Sequence, residues 1–311
     1  MTAAPLRTFW AWLCNDDRYD SLSAPDKGAI DWLRSIPFWL IHLACLGAVW
    51  TGVSRAALLF AVASYFTRMF FITAFYHRYF AHRSYRASRL VRLVFAVLGC
   101  TAGQRGPLWW AAHHRLHHQQ SDTPSDPHSP AHRGFVFAHA LWFLTRENFS
   151  SPKQYVKDWR RYPELVMLER YDWVPFVLFG VFCYAMGEWF GPAHGTSGAQ
   201  SLVWGFFIST TALYHATYTI NSLAHMFGSR RFDTNDNSRN NLWLALLTLG
   251  EGWHNNHHRY PASARQGFYW WEVDVSYWLL RLLSACALIR ELRPVPASVL
   301  ADIPSSGRTR R

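Results

Sequence analysis

The sequence predicts an all-α integral membrane protein, with four transmembrane helices in two hairpins and a cytosolic helical cap. Three observations lead there. Half of the 311 residues are hydrophobic and only 16% are charged, against roughly 25% charged in ordinary soluble domains. Four apolar segments approach the ~20 helical residues that a hydrocarbon core requires. Between them lie stretches dense in Arg and His. A disordered chain and a charged soluble fold are both excluded.

In chain order, residues 1–35 read as a cytosolic N-terminal segment. MTAAPLRTFW lacks a short apolar core followed by a small-residue cleavage site, and Asp16, Asp17 and Asp20 follow closely, so no cleaved signal is expected. The spans fall at about 36–54, 56–76, 171–190 and 200–222. Only Ser54 and Arg55 separate the first two, which forces an antiparallel hairpin, and the linker 191–199 (GPAHGTSGA) does the same for the second pair. Of the 31 Lys and Arg, 4 precede the first span, 14 lie in 77–170 and 11 follow residue 222, with none in 191–199. The positive-inside rule then places both termini and the central region in the cytoplasm. Arg68, inside the second span, must snorkel or face protein. The stretches 90–102, 135–145, 241–249 and 276–289 are too short or interrupted to span. They are expected along the interface or in the cap. Residues 36–293 form the functional domain, and 294–311, rich in Pro, Ser and Arg, reads as a loose tail.

The net charge of +11 is what this topology demands of a cytosolic face, and it also suits anionic lipid or an acidic protein partner. The basic residues flank spans without base-stacking aromatics among them, so no nucleic-acid partner is expected. Cys14, Cys45, Cys100, Cys183 and Cys286 are far apart and odd in number, and no disulfide framework or zinc knuckle is readable.

The chemistry lies in the histidines. HRYFAH supplies His77 and His82 at the cytosolic end of the second span, HRLHH supplies His114, His117 and His118, and HNNHH supplies His254, His257 and His258. NSLAH adds His225 at the end of the fourth span. Offsets of i, i+3 and i+4 share a helix face, so each His-x-x-His-His offers three imidazoles to a common space. His77 and His82 stand about 140° apart on a regular helix. They reach different metals, or the helix ends between them. Nine imidazoles without thiolate suit two metal ions with four or five nitrogens each, and imidazole accepts iron, copper or zinc. Beside a membrane, imidazole-rich iron suggests O2 activation against an inert hydrocarbon chain, with apolar surroundings keeping water away.

HRYFAH, HRLHHQQSDTPSDPHSP, NSLAH and GEGWHNNHHRYP, in this order, resemble the membrane fatty-acyl desaturases, specifically the acyl-CoA Δ9 or stearoyl-CoA branch, over residues 36–280. The resemblance implies a four-span mushroom shape whose cap holds a di-iron centre, and O2-dependent introduction of a cis double bond, Δ9 on this reading. It makes His77, His82, His114, His117, His118, His225, His254, His257 and His258 the iron ligands, and Asn221 the holder of a metal-bound water. Asp122 and Asp126 follow the second box as in the family, where they orient imidazoles or shape the loop. His113 reads as a supporting or surface polar residue, and His128 stays outside the ligand set. His42, His132, His139, His194 and His215 receive no role. Gln104, Trp109 and Trp110 are candidates to line the acyl tunnel, and bulk at Tyr65, with Ala61 one turn earlier, is a candidate limit on chain length.

The substrate head group stays open among acyl-CoA, acyl-carrier protein and lipid. No dinucleotide fingerprint, Cys cluster or fused haem domain appears, so a separate electron donor of cytochrome b5, ferredoxin or rubredoxin type is expected, its acidic surface suiting the basic face. The compact chain points to a bacterial inner membrane. The rivals are a lipid hydroxylase, a desaturase of another position, and a metal-transport or metal-sensing membrane protein. Transport is disfavoured because its ligands belong near the bilayer midplane.

Overall fold

The computed structural model describes residues 28–302. Nearly all its regular structure is helical; β1 (Arg86–Ala87) and β2 (Ile289–Arg290) are two residues each and pair antiparallel, Arg86 opposite Arg290. Among the described residues, three helices are long and apolar enough to cross a membrane: α1 (Trp32–Thr51), α2 (Arg55–Ala81) and α6 (Trp173–His194). Between and after them come α3 (Arg89–Cys100), α4 (Pro107–Gln120), α5 (Pro163–Arg170), the helical run α7 over 198–221, α8 (Leu242–Leu247), α9 (His254–Arg259) and α10 (Val275–Ala285).

α1 begins four residues before the expected span because the Asp31 carboxylate accepts the Arg34 N–H and caps it there. The first hairpin turns at Gly52, where φ is +64°, a value that suits glycine. Ser54 then caps α2 by accepting the Ala57 N–H. The second hairpin is tighter than expected. α6 runs through Gly191 and Pro192 to His194 and ends on the left-handed Gly195, so the non-helical linker shrinks to residues 195–197.

The fourth expected span is helical, but in three pieces: Gly198–Leu202, a wide-wound Val203–Ile208, and Ser209–Asn221. It is not among the long apolar helices. Its Ser209 and Thr210 are buried, and they answer the objection raised by Arg68. That residue is fully buried; it donates to Thr210 Oγ1 at 2.7 Å, Ser209 Oγ at 2.5 Å, Thr101 O and Ser64 O, and lies 4.6 Å over the Phe179 ring. Arg68 therefore faces protein and ties α2 to α7.

The C-terminal half of α2 is the post around which the remaining helices gather. Phe75, Tyr79 and Phe80 pack with Phe95 of α3, Leu108 and Ala112 of α4, Leu165 of α5 and Leu280 of α10. Of the four short apolar stretches, 90–102, 241–249 and 276–289 become α3, α8 and α10, while 135–145 breaks into short turns. The expected tail is partly ordered: Ala297–Ala301 forms a helical turn and Asp302 pairs with Arg259. Residues 1–27, including Cys14, and 303–311 lie outside the described residues.

Candidate metal centre

The nine expected histidines converge into two clusters. His77, His82, His114, His118 and His257 form one, and His117, His225, His254 and His258 the other, with the ligating nitrogens of each within 4.8 Å of one another.

The helix windings explain the sorting. α2 widens over Phe71–Ala81 into a π-helix, whose hydrogen bonds run i to i+5. The His82 N–H accordingly donates to His77 O at 3.1 Å. Residues five apart then stack, the two rings lie 4.8 Å apart, and both join the same cluster. The 140° separation of a regular α-helix does not apply. Each His-x-x-His-His triplet, by contrast, is divided. On α4 the i, i+4 pair His114 and His118 enters the five-histidine cluster and His117 the other, while on α9 His257 enters the first and His254 and His258 the second. An i+3 position lies about 100° around the helix from i+4, so two facing helices serve two centres at once. His225 arrives on a tight turn, Leu223–His225, at the end of α7.

Proton accounting tests whether the clusters fit metal. His77 Nδ1 meets Glu251, His117 Nδ1 meets Asp126 at 3.0 Å, His225 Nδ1 meets Asp122 at 2.8 Å and His258 Nδ1 meets Asp236 at 2.6 Å. Each carboxylate fixes the N–H on Nδ1, leaving a bare lone pair on Nε2. The Nε2 atoms of His117 and His258 are buried with no hydrogen-bond partner. In the larger cluster His77 and His257 Nε2 stand 3.0 Å apart, His257 and His118 2.9 Å, His118 and His114 2.9 Å, and His114 and His82 2.7 Å. Five ring nitrogens brought so close in a buried site match the spacing at which one shared cation would satisfy them together. Carboxylate-backed imidazoles are the usual surroundings of a metal, and the residues fit one.

Electrostatics point the same way. Burial holds His82, His114, His118, His254 and His257 well below the usual imidazole range, and His258 is lowered to about 4. These rings are neutral near pH 7, as ligands must be. His117 differs: burial works against its charge, but Asp126 outweighs burial and raises it.

Asp122 and Asp126 both orient imidazoles and shape the loop. Asp126 also accepts the backbone N–H of Asp122 and of His128. Asp236 and Glu251 were not anticipated from the sequence. Glu251 lies three residues before His254, within GEGWHNNHH, and that proximity was the available signal. Arg78, next to His77, in turn holds Glu251 and Asp274. His128, Asp126 and His117 form a third group close enough for a metal, but Asp126 is already engaged by His117. His113 is buried rather than a surface residue; its Nε2 lies 3.2 Å from Ser150 O and burial lowers it to about 3.

Two cavities adjoin the clusters. The larger, about 250 Å³, is walled by aromatic residues including Phe38, Trp109, Trp142 and Tyr214. The smaller, about 40 Å³, runs past His77 and His254 to Met69 and Thr73. Trp110, His114, Thr217 and Asn221 wall both. Gln104 lines the larger, donates to Thr217 Oγ1 at 3.0 Å and accepts from Trp110 Nε1. Thus Gln104, Trp109, Trp110 and Asn221 all reach a cavity. Tyr65 lines neither: it sits one turn beyond Met69, its hydroxyl donating to Leu247 O at 2.8 Å.

Comparison with known proteins gives a consistent result. The fatty acid desaturase family model matches residues 50–292. Among similar proteins, an sn-2 palmitoyl-lipid 9-desaturase of Nostoc sp. is 33% identical over 88% of this chain and 95% of its own length. A Delta-9 acyl-lipid desaturase 1 of Arabidopsis thaliana is 34% identical over 91% and 87%, and an acyl-CoA 5-desaturase AL21 of Anemone leveillei 35% over 83% and 78%. With histidine clusters able to hold metal and helices suited to a membrane, the chain belongs to the fatty acid desaturase family and is an oxidoreductase of lipid metabolism.

Proposed function

We propose that the protein is an O2-dependent di-iron desaturase that introduces a cis double bond, at Δ9, into a long saturated acyl chain carried by a membrane lipid or by coenzyme A. The observation that carries this reading is the division of nine buried imidazoles into groups of five and four beside an apolar cavity. His77, His82, His114, His118 and His257 would hold one iron, His117, His225, His254 and His258 the other. Asn221, walling both cavities, would hold a metal-bound water. Two irons there would supply activation of O2 against an unactivated methylene.

The protein's own residues supply placement and dryness. Trp109 and Trp110 flank the chain, and Gln104 with Thr217 fixes the wall where the two cavities share residues. Asp122, Asp126, Asp236 and Glu251 keep protons on the outward nitrogens. Forming one double bond while reducing O2 to two waters consumes two external electrons and two protons, so a separate carrier of cytochrome b5, ferredoxin or rubredoxin type serves it. In this reading residues 36–293 are the desaturase domain, α7 is the fourth span, and the remaining helices form a cap on the cytoplasmic side of a bacterial inner membrane, flanked by segments 1–35 and 294–311. The Δ9 position and the lipid head group draw support from the names of the Nostoc and Arabidopsis relatives, and the coenzyme A alternative from the Anemone one.

The test is fatty-acid profiling with double-bond localisation in cells expressing the protein and a compatible donor, against a His257→Ala control, alongside iron analysis of purified protein. Monoenes that vanish in the control, with two irons per chain, are expected. A hydroxylated product, or activity without iron, overturns the reading.

A further inference from the structure

α8 is only six residues long, LWLALL, yet its outward face is wholly apolar: Leu242, Trp243, Leu246 and Leu247 are exposed, Trp243 at 77%, while Leu244 and Ala245 turn inward. Its depth follows from its contacts with α2. The hydroxyl of Tyr65 donates to Leu247 O, and Tyr65 lies ten residues from Arg55 at the far end of α2, about 15 Å along the axis at 1.5 Å per residue. That is roughly half of a ~30 Å hydrocarbon core. The chain starts at the level of the metal centre, where the Asn241 N–H donates to Gly252 O, and returns there at Glu251 beside His77. It dips between those two points.

Three of the last four carbonyls of α8, those of Leu244, Ala245 and Leu247, are met by protein donors among the described residues, and that of Leu246, on the exposed face, is not. A helix leaves its last carbonyls without intrahelical partners, and at membrane depth such groups must be satisfied by protein. Leu244 O accepts from the Thr248 N–H and hydroxyl, Ala245 O from the Gly250 N–H, Leu247 O from the Tyr65 hydroxyl and Leu249 O from the Ser276 N–H. Ser276 in turn bonds Thr73 of α2 at 2.6 Å. Two of these donors come from other elements. Elsewhere in the C-terminal region Trp278 and Leu282 of α10, and Trp270 and Trp271, are also exposed, Trp being the residue type that anchors at membrane interfaces.

We propose that α8 is a re-entrant helix inserted into the cytoplasmic leaflet, its partner the acyl region of the bilayer. The occupant follows from depth: α8 ends against Tyr65 of α2, one of the helices suited to crossing. Lipid thereby packs behind the turn that carries Thr248, a wall of the smaller cavity. The inference rests on α2 crossing the membrane but is independent of the metal and the reaction.

The test places a nitroxide at Leu246→Cys, and separately at Trp243→Cys, in a background with Cys14, Cys45 and Cys286 changed to Ser, reconstituted in phosphatidylcholine vesicles. Relaxation by O2, which concentrates in lipid, is compared with relaxation by a water-soluble nickel chelate. Both sites should favour O2 several-fold, like a label at Val62 or Val181 on α2 or α6, while a label at exposed Glu291 favours nickel. Nickel preference at α8 with O2 preference at Val62 overturns the insertion alone; nickel preference at Val62 overturns the span itself. Protection from both reagents shows the face covered by protein, such as a second copy, and also overturns the proposal.

Discussion

The support of the imidazoles can be tested at Asp122 with particular economy. Its Oδ2 accepts the His225 Nδ1–H and the Asn237 N–H, both at 2.8 Å, and its Oδ1 accepts the Ser129 hydroxyl at 2.7 Å. Its backbone φ is +55°, a region where Asn is favoured. In Asp122→Asn the amide oxygen can take the place of Oδ2 and keep both bonds, while the amide N–H group donates to the Ser129 hydroxyl, which turns to accept. Only the negative charge behind His225 is lost. Asp122→Ala loses the charge, the bonds and the backbone fit together. Losing an outer partner of a metal-bound imidazole costs about 10–100-fold in affinity, or about 1.4–2.7 kcal/mol at 1.36 kcal/mol per tenfold. Asn should fall near the lower figure and Ala near the upper. The assay is titration of metal-free protein with zinc, as a redox-silent probe, against a chelating dye that resolves two sites. Only the four-histidine site should weaken. Equal loss at both sites, or equal effects of Asn and Ala, would refute the reasoning.

Three further outcomes are expected. Burial lowers His258 to about 4 and His113 to about 3, so the unfolded chain binds more protons than the folded one as pH falls below about 6.5. The Tm of metal-free protein in detergent should therefore be level above pH 7 and drop between pH 6.5 and 4; a flat profile there contradicts neutral buried rings. Glu169 accepts the N–H groups of Leu108 and Trp109 at 2.9 Å each and so caps α4, and a Cβ on Gly106 would lie 2.1 Å from its Oε2. Glu169→Ala should cost about 1–2 kcal/mol by chemical denaturation, and Gly106→Ala should also destabilise; neutrality of both would show α4 needs no such cap. At Arg68, Arg68→Met should retain more stability than Arg68→Ala, because apolar filling of a buried charged site is tolerated better than a cavity; the reverse order in a thermal assay would argue against it.

How much of this was legible beforehand varies by residue. The histidine boxes, the first hairpin and the short helices in 90–102, 241–249 and 276–289 were readable because each depends on local spacing or on the length of an apolar run. The grouping of His77 with His82 was not, since nothing in the local spacing of residues marks the π-winding of Phe71–Ala81. Asp236 and Glu251 escaped notice because a lone carboxylate in a loop looks like turn chemistry until the fold brings an imidazole nitrogen beside it.

The sequence by itself determined which atoms were present to bind metal and roughly which segments were apolar enough for lipid, because composition and short offsets are properties of the chain. Only the tertiary structure decided how nine rings divide between two clusters, where Arg68 finds neutral acceptors, and that α8 ends against Tyr65. Each of those depends on distances between residues far apart along the chain, set by the packing of whole helices on α2 rather than by any local preference.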